Sequence, residues 1–433
     1  KRWRVEKMGE FSRRMIGSED TNIEKRNIIW NIIGSFLYAF ASMILSIAVI
    51  QIVGEEQGGV FTFAFSTFGQ HMFMVAYFGI RPFQITDMSY KYSFGDYLRL
   101  RFLTCGSALL FGLIYVGVQG YTREKALVVF LMVCYKVLDA LADTYEAEFQ
   151  RSGRLYLTGK SNAFRTLLSV TAFLGTLWVT RDLVNASVVA VTAQIVGIVV
   201  FDAAVIRVLS NVDWKSKWSR QWSLLRDNTL LFFSVVLDFY IFSAAKYAIE
   251  DIMMDKDMAV YGAIFMPTSV INLVAGFVIR PYLTRMSMAW DDGDDNYFLK
   301  LIGKQAMVIS GLTVLAVGGA WLLGIPVLEF LYSNIRYALE ECRFPLILII
   351  LGGALNAFMN LFYYALVIMK KQRYIFGNYV AVAVLAVLIS PVFVRKAGIL
   401  GGATSYMCLM GALMLGFAGN AVYFFWKERR GKR

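Results

Sequence analysis

The tetrapeptide IRPF at 80–83 closes a long apolar run, and IRPY at 279–282 closes another in the second half of the chain. An asparagine precedes each arginine at nearly the same distance, Asn27 in the first copy and Asn228 in the second. Because proline disfavours the α conformation of the residue before it, each arginine is expected to end the second span of its half. A match of three identical residues in four can arise by chance, but the similar offsets predict two six-helix lobes related by duplication.

The composition is that of a protein embedded in a membrane. Of the 433 residues, 58% are hydrophobic and 17% are charged, against roughly 25% charged residues in soluble domains. The mean hydropathy is +0.56, and apolar runs of about 20 residues, long enough to cross a bilayer as helices, recur along the chain. We therefore predict an all-α polytopic membrane protein with twelve spans. The predicted spans are 28–50, 59–80, 102–118, 126–149, 162–180, 185–207, 229–249, 259–281, 302–323, 344–369, 374–394 and 399–426.

The distribution of lysine and arginine predicts the orientation. With the N-terminus in the cytoplasm, most of the 43 basic residues fall on cytoplasmic segments, which is the positive-inside pattern. Both termini are therefore expected to be cytoplasmic, and the net charge of +12 reflects topology rather than nucleic-acid binding. The predicted organisation is a basic segment 1–27, an N-terminal lobe 28–209, a linker helix 210–228, a C-terminal lobe 229–426 and a basic tail 427–433.

The linker 210–228 has the pattern of a helix that lies in the membrane interface. Trp214, Trp218 and Trp222 recur every four residues on one face, and lysines and arginines lie off that stripe. Tryptophan on one side of a helix with basic residues around it is typical of such interfacial helices. A helix recognised by calmodulin-like proteins is the alternative.

Span four carries a line of polar side chains. Lys136, Asp139, Asp143, Glu146 and Gln150 follow one another at intervals of three or four residues, which places them on one helix face. A charge at mid-bilayer costs on the order of 2.5–3.5 kcal/mol on insertion scales, so this face is expected to meet protein or a water-filled cavity. Two explanations stay open. One is an internal ion-pair network with Lys136 paired to Asp139; the other is a polar path for substrate or protons, because two carboxylates one turn apart resist ionising together.

Other spans contain further polar residues. Asp238 lies near the middle of span seven and Lys246 near its outer end, and each is expected to have a partner on another helix or water. The single histidine, His71, lies in span two as a structural residue or a proton relay, and Arg165 begins span five as a candidate buried cation. The residues of span ten that could hydrogen-bond a sugar or a neighbouring helix are Asn356, Asn360, Tyr363 and Tyr364.

The sequence lacks the usual signatures of enzymes and bound cofactors. A phosphate-binding GxxxxGK[ST] loop, paired His/Cys metal motifs and a GxSxG elbow are all missing. The four cysteines show no paired spacing. The acidic run DDGDD at 291–295 is more typical of a solvated loop than of a metal site. We therefore predict no catalytic residue, no metal and no cofactor.

Three segments carry a family resemblance. They are FGIRPFQITDMSYKYSFGDY at 78–97, YEAEFQRSGRL at 145–155 and FMPTSVINLVAGFVIRPYLTRM at 265–286. They resemble the Wzx-type flippases, the polysaccharide-export proteins of the multidrug/oligosaccharidyl-lipid/polysaccharide (MOP) superfamily. The resemblance covers most of the chain through diffuse motifs. It implies a MATE-like fold, in which two six-helix bundles form a V-shaped cavity that opens alternately to each side of the membrane.

The resemblance implies a transporter of the cytoplasmic membrane, not an enzyme. Its substrate would be an oligosaccharide on a polyprenyl pyrophosphate carrier, moved from the inner to the outer leaflet for cell-surface polysaccharide assembly. H⁺ or Na⁺ would be the coupling ion, so neither an ATP site nor a cofactor is expected. Membrane lipid, polysaccharide polymerases and glycosyltransferases are the partners that this resemblance suggests.

The resemblance also assigns candidate roles to residues. The candidate cations for the pyrophosphate are Arg81, Arg280, Arg165, Lys136 and Lys246. The candidate sugar contacts are Asn356, Asn360, Tyr363 and Tyr364. The candidates for ion coupling are Asp139, Asp143, Asp238, Glu146 and His71.

Two other functions compete with this one. A multidrug or organic-cation antiporter of the same superfamily would use Asp139, Asp143 and Asp238 in an acidic cavity, whereas a pyrophosphate needs a basic one. A membrane scaffold that docks sugar-assembly enzymes without transporting anything would have no substrate-sized cavity between the lobes.

Overall fold

The computed structural model describes residues 15–16, 22–87, 91–209, 218–279 and 282–430, and it shows helices and short connections without a β-strand in these ranges. The chain divides into two compact units, one ending at Val236 and the other beginning at Leu237. They are called unit 1 and unit 2 below.

Unit 1 is a helical bundle. Its helices are α1 (Ile23–Val53), α2 (Glu55–Phe61), a π-helical segment π1 (Thr62–Phe68), α3 (Gly69–Tyr77), α4 (Ile80–Thr86), α5 (Phe94–Val118), α6 (Arg123–Arg151), α7 (Leu155–Thr180), α8 (Leu183–Gly197), a second π-helical segment π2 (Ile198–Ala203) and α9 (Ala204–Leu209). Helix α10 (Trp218–Ile252) begins in unit 1 and contains the boundary with unit 2.

Unit 2 is also helical. After α10 it contains α11 (Asp255–Phe265), α12 (Pro267–Ile279), α13 (Leu283–Asp291), α14 (Asp295–Gly319), a π-helical segment π3 (Ala320–Gly324), α15 (Ile325–Leu331), α16 (Arg336–Leu339), α17 (Arg343–Ile368) and α18 (Gln372–Arg430). Helix α18 is interrupted by non-helical backbone at Ala397 and Gly398, between the predicted spans 374–394 and 399–426.

The helices confirm the prediction of an all-α, multi-pass membrane protein. Nine helical segments within the described ranges are long and apolar enough to cross a membrane. They are Ile23–Val53, Phe94–Val118, Leu155–Thr180, Leu183–Arg207, Asn228–Ile252, Asp255–Gly276, Asp295–Leu331, Ser333–Ile368 and Gln372–Glu428.

Three of the twelve predicted spans account for the difference between that number and these nine segments. Gln372–Glu428 holds two predicted spans on either side of the break in α18. The predicted spans 59–80 and 126–149 are also helical, in the run from α2 to α3 and in α6, but they are not among these nine segments. Twelve crossings, cytoplasmic termini and the predicted lobe boundaries stay predictions.

The helix that precedes IRPF ends earlier than the effect of proline on its preceding residue suggested. Helix α3 ends at Tyr77, and Phe78 and Gly79 both adopt left-handed backbone conformations, with φ of 50° and 65°. Arg81 and Pro82 then lie in the first turn of α4, where the missing N–H of proline removes no helical hydrogen bond. The expectation that Arg81 ends a span was therefore wrong. The matching Arg280 lies outside the described residues.

Part of the predicted linker helix belongs to α10. Residues 210–217, which include Trp214, lie outside the described part of the chain, and the helix runs without interruption from Trp218 into predicted span seven. The Trp222 side chain is 69% exposed, whereas Gln221 and Leu224 are buried within unit 1. An exposed tryptophan is compatible with a helix that lies in the membrane interface, but the membrane position of this helix stays a prediction.

Two glycines allow α1 and α7 to cross closely. A Cβ atom on Gly34 would lie 2.5 Å from the carbonyl oxygen of Gly159, and a Cβ on Gly159 would collide with the backbone at Trp30. Small residues at such crossings let helix backbones approach, which is a common way to pack helices in membranes. This crossing brings α1 against the helix that carries Arg165.

We predict that Gly159→Ala destabilises the protein, because the added methyl group meets backbone atoms that cannot rotate away. The expected loss is about 1–3 kcal/mol, the usual cost of overpacking, and it is measured as a lower Tm of the purified protein. Gly175→Ala on the same helix is the matched control, because open space surrounds Gly175. An equal loss of Tm in both variants would contradict the close crossing.

Candidate functional site

The polar stripe of α6 faces the interior of unit 1. Lys136, Asp139, Asp143 and Glu146 are buried, and Gln150 at the end of the stripe is partly buried. The spacing of these residues in the sequence therefore predicted the buried face of α6 correctly. The partners that surround this face come from other helices, and three of them are arginines.

Arg165 of α7 forms the centre of the first group of charges. Its guanidinium lies 2.8 Å from a carboxylate oxygen of Glu146 and 3.0 Å from one of Asp202. Ser161, one turn before Arg165, donates a short hydrogen bond to the other oxygen of Asp202. Arginine suits this position because its planar fork can serve two carboxylates at once.

Asp139 extends this group toward α1 and α8. Its carboxylate accepts hydrogen bonds from the hydroxyl of Tyr38, at 3.3 Å, and from the amide of Gln194. The nearest guanidinium nitrogen of Arg165 is 3.9 Å away. Asp139 is thus held mainly by neutral donors, which satisfy its lone pairs without a close counter-charge.

Lys136 does not pair with Asp139, contrary to the ion-pair alternative raised by the sequence. Its Nζ lies 3.9 Å from the centroid of the Phe65 ring, and within the described residues no carboxylate oxygen lies within 4.0 Å of it. The side chain is only 2% exposed. A buried ammonium over a ring face gains cation–π attraction in place of an ion pair.

Asp143 is the centre of a second group of charges. Arg81 of α4 forms an ion pair with one of its oxygens, and Arg101 of α5 lies 3.3 Å from the other. Arg101 is fully buried and also donates hydrogen bonds to the hydroxyl of Thr144 and the carbonyl of Ala76, both at 2.6 Å. Arg101 therefore joins α3, α5 and α6.

Arg81 is the member of this network that reaches furthest outward. Its side chain is 23% exposed, whereas Asp143 is 11% exposed and Glu146 only 5%. Its guanidinium also donates a hydrogen bond of 3.1 Å to Gln150 and lies 3.5 Å from Glu146. The charge that the network presents at its edge is therefore positive.

A separate cluster fixes the helix that carries Arg81. Arg151 of α6 is buried and contacts Asp87 at the end of α4 through both the backbone carbonyl, at 3.0 Å, and the carboxylate, at 3.3 Å. Gln84 of α4 donates hydrogen bonds to the carbonyl of Thr144 and to Glu148, each at 3.1 Å. These contacts hold α4 against α6 and so orient the side chain of Arg81.

Sequence reasoning missed several members of the network. Asp202 lies within predicted span six, and Arg101 lies at the edge of predicted span three. A charged residue in or beside an apolar span is uncommon, and this signal could have identified both. Tyr38 and Gln194 carry no comparable signal, because uncharged polar residues are common in membrane helices. Asp202 also lies in the segment π2, and such wide turns occur frequently at functional sites.

The candidate residues of unit 2 have different surroundings. Asp238 accepts a hydrogen bond from Tyr379, and no Lys or Arg of the described residues lies within 4.0 Å of its carboxylate. The Nζ of Lys246 lies 3.9 Å from the centroid of the Phe265 ring. The candidate charges of unit 2 thus lie beside tyrosines and phenylalanines, whereas Asp143 and Glu146 of unit 1 pair with arginines.

The residues of predicted span ten lie on α17. Asn356 donates a hydrogen bond of 2.8 Å to Asn272 of α12, and Asn360 donates one of 3.0 Å to the carbonyl of Asn356. The ring centroids of Tyr363 and Tyr364 are 5.3 Å apart. Asn356 therefore links two helices, while Asn360 and the two tyrosines are partly exposed.

The remaining residues singled out from the sequence are His71, Arg280 and the acidic run at 291–295. His71 lies on α3 and is partly buried, and Arg280 lies outside the described residues. In the run 291–295, the Asp294 side chain caps α14 by accepting a hydrogen bond from the backbone of Tyr297. The part of the chain that the structure describes contains no group of three or more His, Cys, Asp or Glu side chains arranged to hold a metal ion.

The arrangement of helices is shared with solved transporters. The lipid II flippase MurJ in an inward-closed conformation aligns with a TM-score of 0.65 and 12% identity, over 92% of this chain and 89% of that one. The chain has a MOP-like fold. A multidrug resistance MATE family transporter of the MOP superfamily in an outward-facing conformation aligns with a TM-score of 0.57 and 12% identity, over 96% and 98% of the two chains.

A third likeness supports the same fold. The Vibrio cholerae MATE transporter VcmN in its bent form aligns with a TM-score of 0.55 and 13% identity, over 94% of this chain and 97% of that one. No protein-family model and no curated protein matches the chain. Since the identities are this low, these likenesses establish the MOP-like fold and nothing finer.

We predict that Arg165→Gln strongly destabilises unit 1, because it leaves Asp202 buried without its ion-pair partner and Glu146 with only Arg81, at 3.5 Å. Breaking a buried ion pair typically costs about 3–5 kcal/mol, which is measured as a lower Tm and a lower yield of folded protein. The double variant Arg165→Gln/Asp202→Asn removes one stranded carboxylate and is expected to recover part of the loss.

Arg336→Gln in unit 2 is the control for the loss of a positive charge. Arg336 lies 3.3 Å from Glu329, but its side chain is 66% exposed, and an exposed pair contributes about 0–1 kcal/mol. If Arg165→Gln lowered the Tm no more than Arg336→Gln does, the buried network would not be what stabilises unit 1.

Proposed function

We propose that the chain is a flippase that moves an oligosaccharide on a polyprenyl pyrophosphate carrier from the inner to the outer leaflet of the cytoplasmic membrane. It works by alternating access, coupled to an ion gradient, and serves the assembly of cell-surface polysaccharide. The MOP-like fold and the likeness to MurJ, described as a lipid II flippase, support a lipid-linked substrate. The observation that carries the proposal is the partly exposed side chain of Arg81 at the edge of a buried charge network.

The pyrophosphate is the part of the substrate that most needs a specific partner. It carries negative charge through the membrane, and a guanidinium binds it with two parallel hydrogen bonds. Arg101 and Arg165 are too buried to meet a substrate without rearrangement, whereas Arg81 reaches the edge of the network. The polyprenyl tail can remain in the bilayer, so the transporter has to match only the polar head.

The partners of Arg81 explain how its charge is stabilised before a substrate binds. Asp143, Glu146 and Gln150 hold its guanidinium when no substrate is bound. A pyrophosphate oxygen can replace Glu146 or Gln150, the two more distant acceptors, while the pair with Asp143 persists. Arg151 keeps α4 against α6 during this exchange, so Arg81 is pre-oriented rather than flexible.

Sugar recognition is assigned to α17. Asn360, Tyr363 and Tyr364 are partly exposed and offer amide and hydroxyl groups together with aromatic faces. Tyrosine suits this task because it combines a flat apolar ring with a hydroxyl. Asn356 is already engaged with Asn272, so its role is to link α17 to α12.

We predict that Arg81→Gln slows flipping about tenfold or more, because hydrogen bonds to a charged group contribute about 1.5–3 kcal/mol. The measurement is the movement of a fluorescent polyprenyl-pyrophosphate oligosaccharide between leaflets of proteoliposomes that contain the purified protein. Arg81→Lys keeps the charge and loses the fork, so its rate is expected to be intermediate.

The matched control is again Arg336→Gln, which removes an exposed arginine from unit 2. It is expected to flip the substrate at the wild-type rate. Wild-type flipping by a folded Arg81→Gln protein would contradict the role of Arg81, and absence of flipping by the wild-type protein would contradict the proposed substrate.

Ion coupling is assigned to Asp238. A carboxylate that carries the coupling proton or sodium ion has to release it during the cycle, and a fixed guanidinium partner would oppose that exchange. Asp143 has two such partners, whereas Asp238 has only the hydroxyl of Tyr379 among its described hydrogen bonds. Of the residues identified from the sequence, Asp238 therefore fits the coupling role best.

We predict that Asp238→Asn abolishes the dependence of flipping on the ion gradient and leaves the protein folded. Asp143→Asn should instead lower the Tm, because Arg81 and Arg101 lose their shared counter-charge. Flipping with and without a pH or sodium gradient, measured together with Tm on the same preparations, separates the two roles. Full gradient dependence in Asp238→Asn would exclude this residue from coupling.

A second candidate function is organic-cation antiport. The likeness to multidrug MATE transporters and the carboxylate of Asp238 favour it, because an acidic group attracts cationic drugs. The same proteoliposomes distinguish the two functions. Gradient-driven uptake of a cationic dye with no flipping of the lipid-linked oligosaccharide would support the antiporter and reject the flippase.

A further inference from the structure

A cluster of buried polar groups in unit 2 contains hydroxyls without hydrogen-bond partners, and it takes no part in the proposed transport. Ser243 and Lys246 lie on α10, Tyr261 on α11 and Tyr406 on the second part of α18. The hydroxyls of Ser243, Tyr261 and Tyr406 find no hydrogen-bond partner among the described residues. All three side chains are fully buried, and Lys246 is 6% exposed.

Three of these four side chains lie around one aromatic ring. The ring centroid of Phe265 is 3.9 Å from the Nζ of Lys246, 4.8 Å from the ring centroid of Tyr406 and 5.7 Å from that of Tyr261. Ser243 precedes Lys246 by three residues, so both project from the same face of α10. Lys246 and the two tyrosines therefore share one local environment, and Ser243 lies one turn from Lys246 on α10.

The backbone is shaped to hold the two tyrosines in place. A Cβ atom on Gly352 would lie 2.6 Å from the ring of Tyr406, and a Cβ on Gly402 would lie 3.1 Å from the ring of Tyr261. Both rings thus pack against glycines of neighbouring helices and cannot turn outward to find other partners. Their hydroxyls are fixed inside unit 2.

The charge of Lys246 is not balanced by a nearby carboxylate. No carboxylate oxygen of the described residues, Glu250 on the next turn included, lies within 4.0 Å of its Nζ. Asp238 lies about 12 Å earlier along the axis of α10; it accepts a hydrogen bond from Tyr379 and interacts electrostatically with Tyr406, but it is no ion-pair partner of Lys246. A buried ammonium with only an aromatic ring as neighbour is costly in a membrane and calls for a counter-charge.

The chemistry of the cluster selects the class of ligand. An ammonium has only donors, and each hydroxyl can donate one hydrogen bond. Lys246, Tyr261 and Tyr406 lie around one ring and together offer three donors and one positive charge, which fit an anion, and the burial of these side chains restricts it to a small one. We propose that Ser243, Lys246, Tyr261 and Tyr406 form a binding site for a small monovalent anion of the halide class in unit 2.

The experiment compares the thermal stability of the purified full-length protein in sodium chloride or bromide with that in sodium gluconate at equal ionic strength. A ligand that binds only the folded state stabilises it by RT ln(1 + [L]/Kd), so the Tm rises with the logarithm of the ligand concentration above the Kd. The expected result is such a rise of the wild-type Tm with halide and none in Lys246→Met. A wild-type Tm that is the same in halide and in gluconate would overturn the proposal.

Lys136→Met is the matched control. Lys136 is buried in unit 1 with its Nζ at the same 3.9 Å from a phenylalanine ring, but the described residues around it include no comparable group of unpartnered hydroxyls. This variant is expected to keep the halide-dependent rise of Tm, whatever its starting stability. Loss of the rise in Lys136→Met would show a non-specific effect of removing a buried lysine and would reject the site.

Two milder variants keep the proposal testable if Lys246→Met does not fold. Tyr261→Phe and Tyr406→Phe retain the rings and remove one donor each, so the halide concentration that produces a given rise of Tm should increase about tenfold. If both variants needed the same halide concentration as the wild type for that rise, the site would be rejected. Anomalous diffraction from crystals grown in bromide should place the ion beside Lys246, and a water molecule there instead would overturn the assignment.

Discussion

The guanidinium of Arg165, shared by Glu146 and Asp202, is the interaction on which unit 1 depends. Helices inside a membrane have little hydrophobic reason to associate, whereas unmatched charges there cost several kcal/mol. The pairing of α6, α7 and π2 through these three side chains therefore fixes which helices become neighbours. The close crossing at Gly34 and Gly159 then brings α1 near enough for Tyr38 to reach Asp139.

The chain uses arginine and lysine for different purposes. Its buried arginines each serve two or more acceptors, as the five donors of a guanidinium allow. The two buried lysines of the candidate sites instead lie over phenylalanine rings, Lys136 over Phe65 and Lys246 over Phe265. An ammonium is a compact point charge that can be held by a ring face, but it cannot bridge carboxylates on separate helices.

The two units consequently have different chemistry, although both are built from helices alone in their described parts. Unit 1 combines a balanced ion-pair network with one outward cation, Arg81, which suits recognition of an anionic head group. Unit 2 has an isolated carboxylate at Asp238 and a group of buried hydroxyls beside Lys246. The proposed flippase thus assigns substrate charge to one unit and ion exchange to the other, so that two charge-dependent events need not compete for the same residues.

The sequence by itself determined the membrane environment, the all-α class and the buried face of α6. Hydropathy and helical periodicity act within one segment, so they can be recognised without knowing what lies next to it. The sequence did not determine the partners of that face. It suggested Lys136 for Asp139, whereas the structure gives Tyr38 and Gln194, because partner choice depends on which helices cross and at what depth. The position of Arg81 was likewise decided by tertiary structure. Proline is tolerated both after the end of a helix and in the first turn of the next one, so the sequence alone allows either position. Packing of α4 against α6 places Arg81 and Pro82 in the first turn of α4.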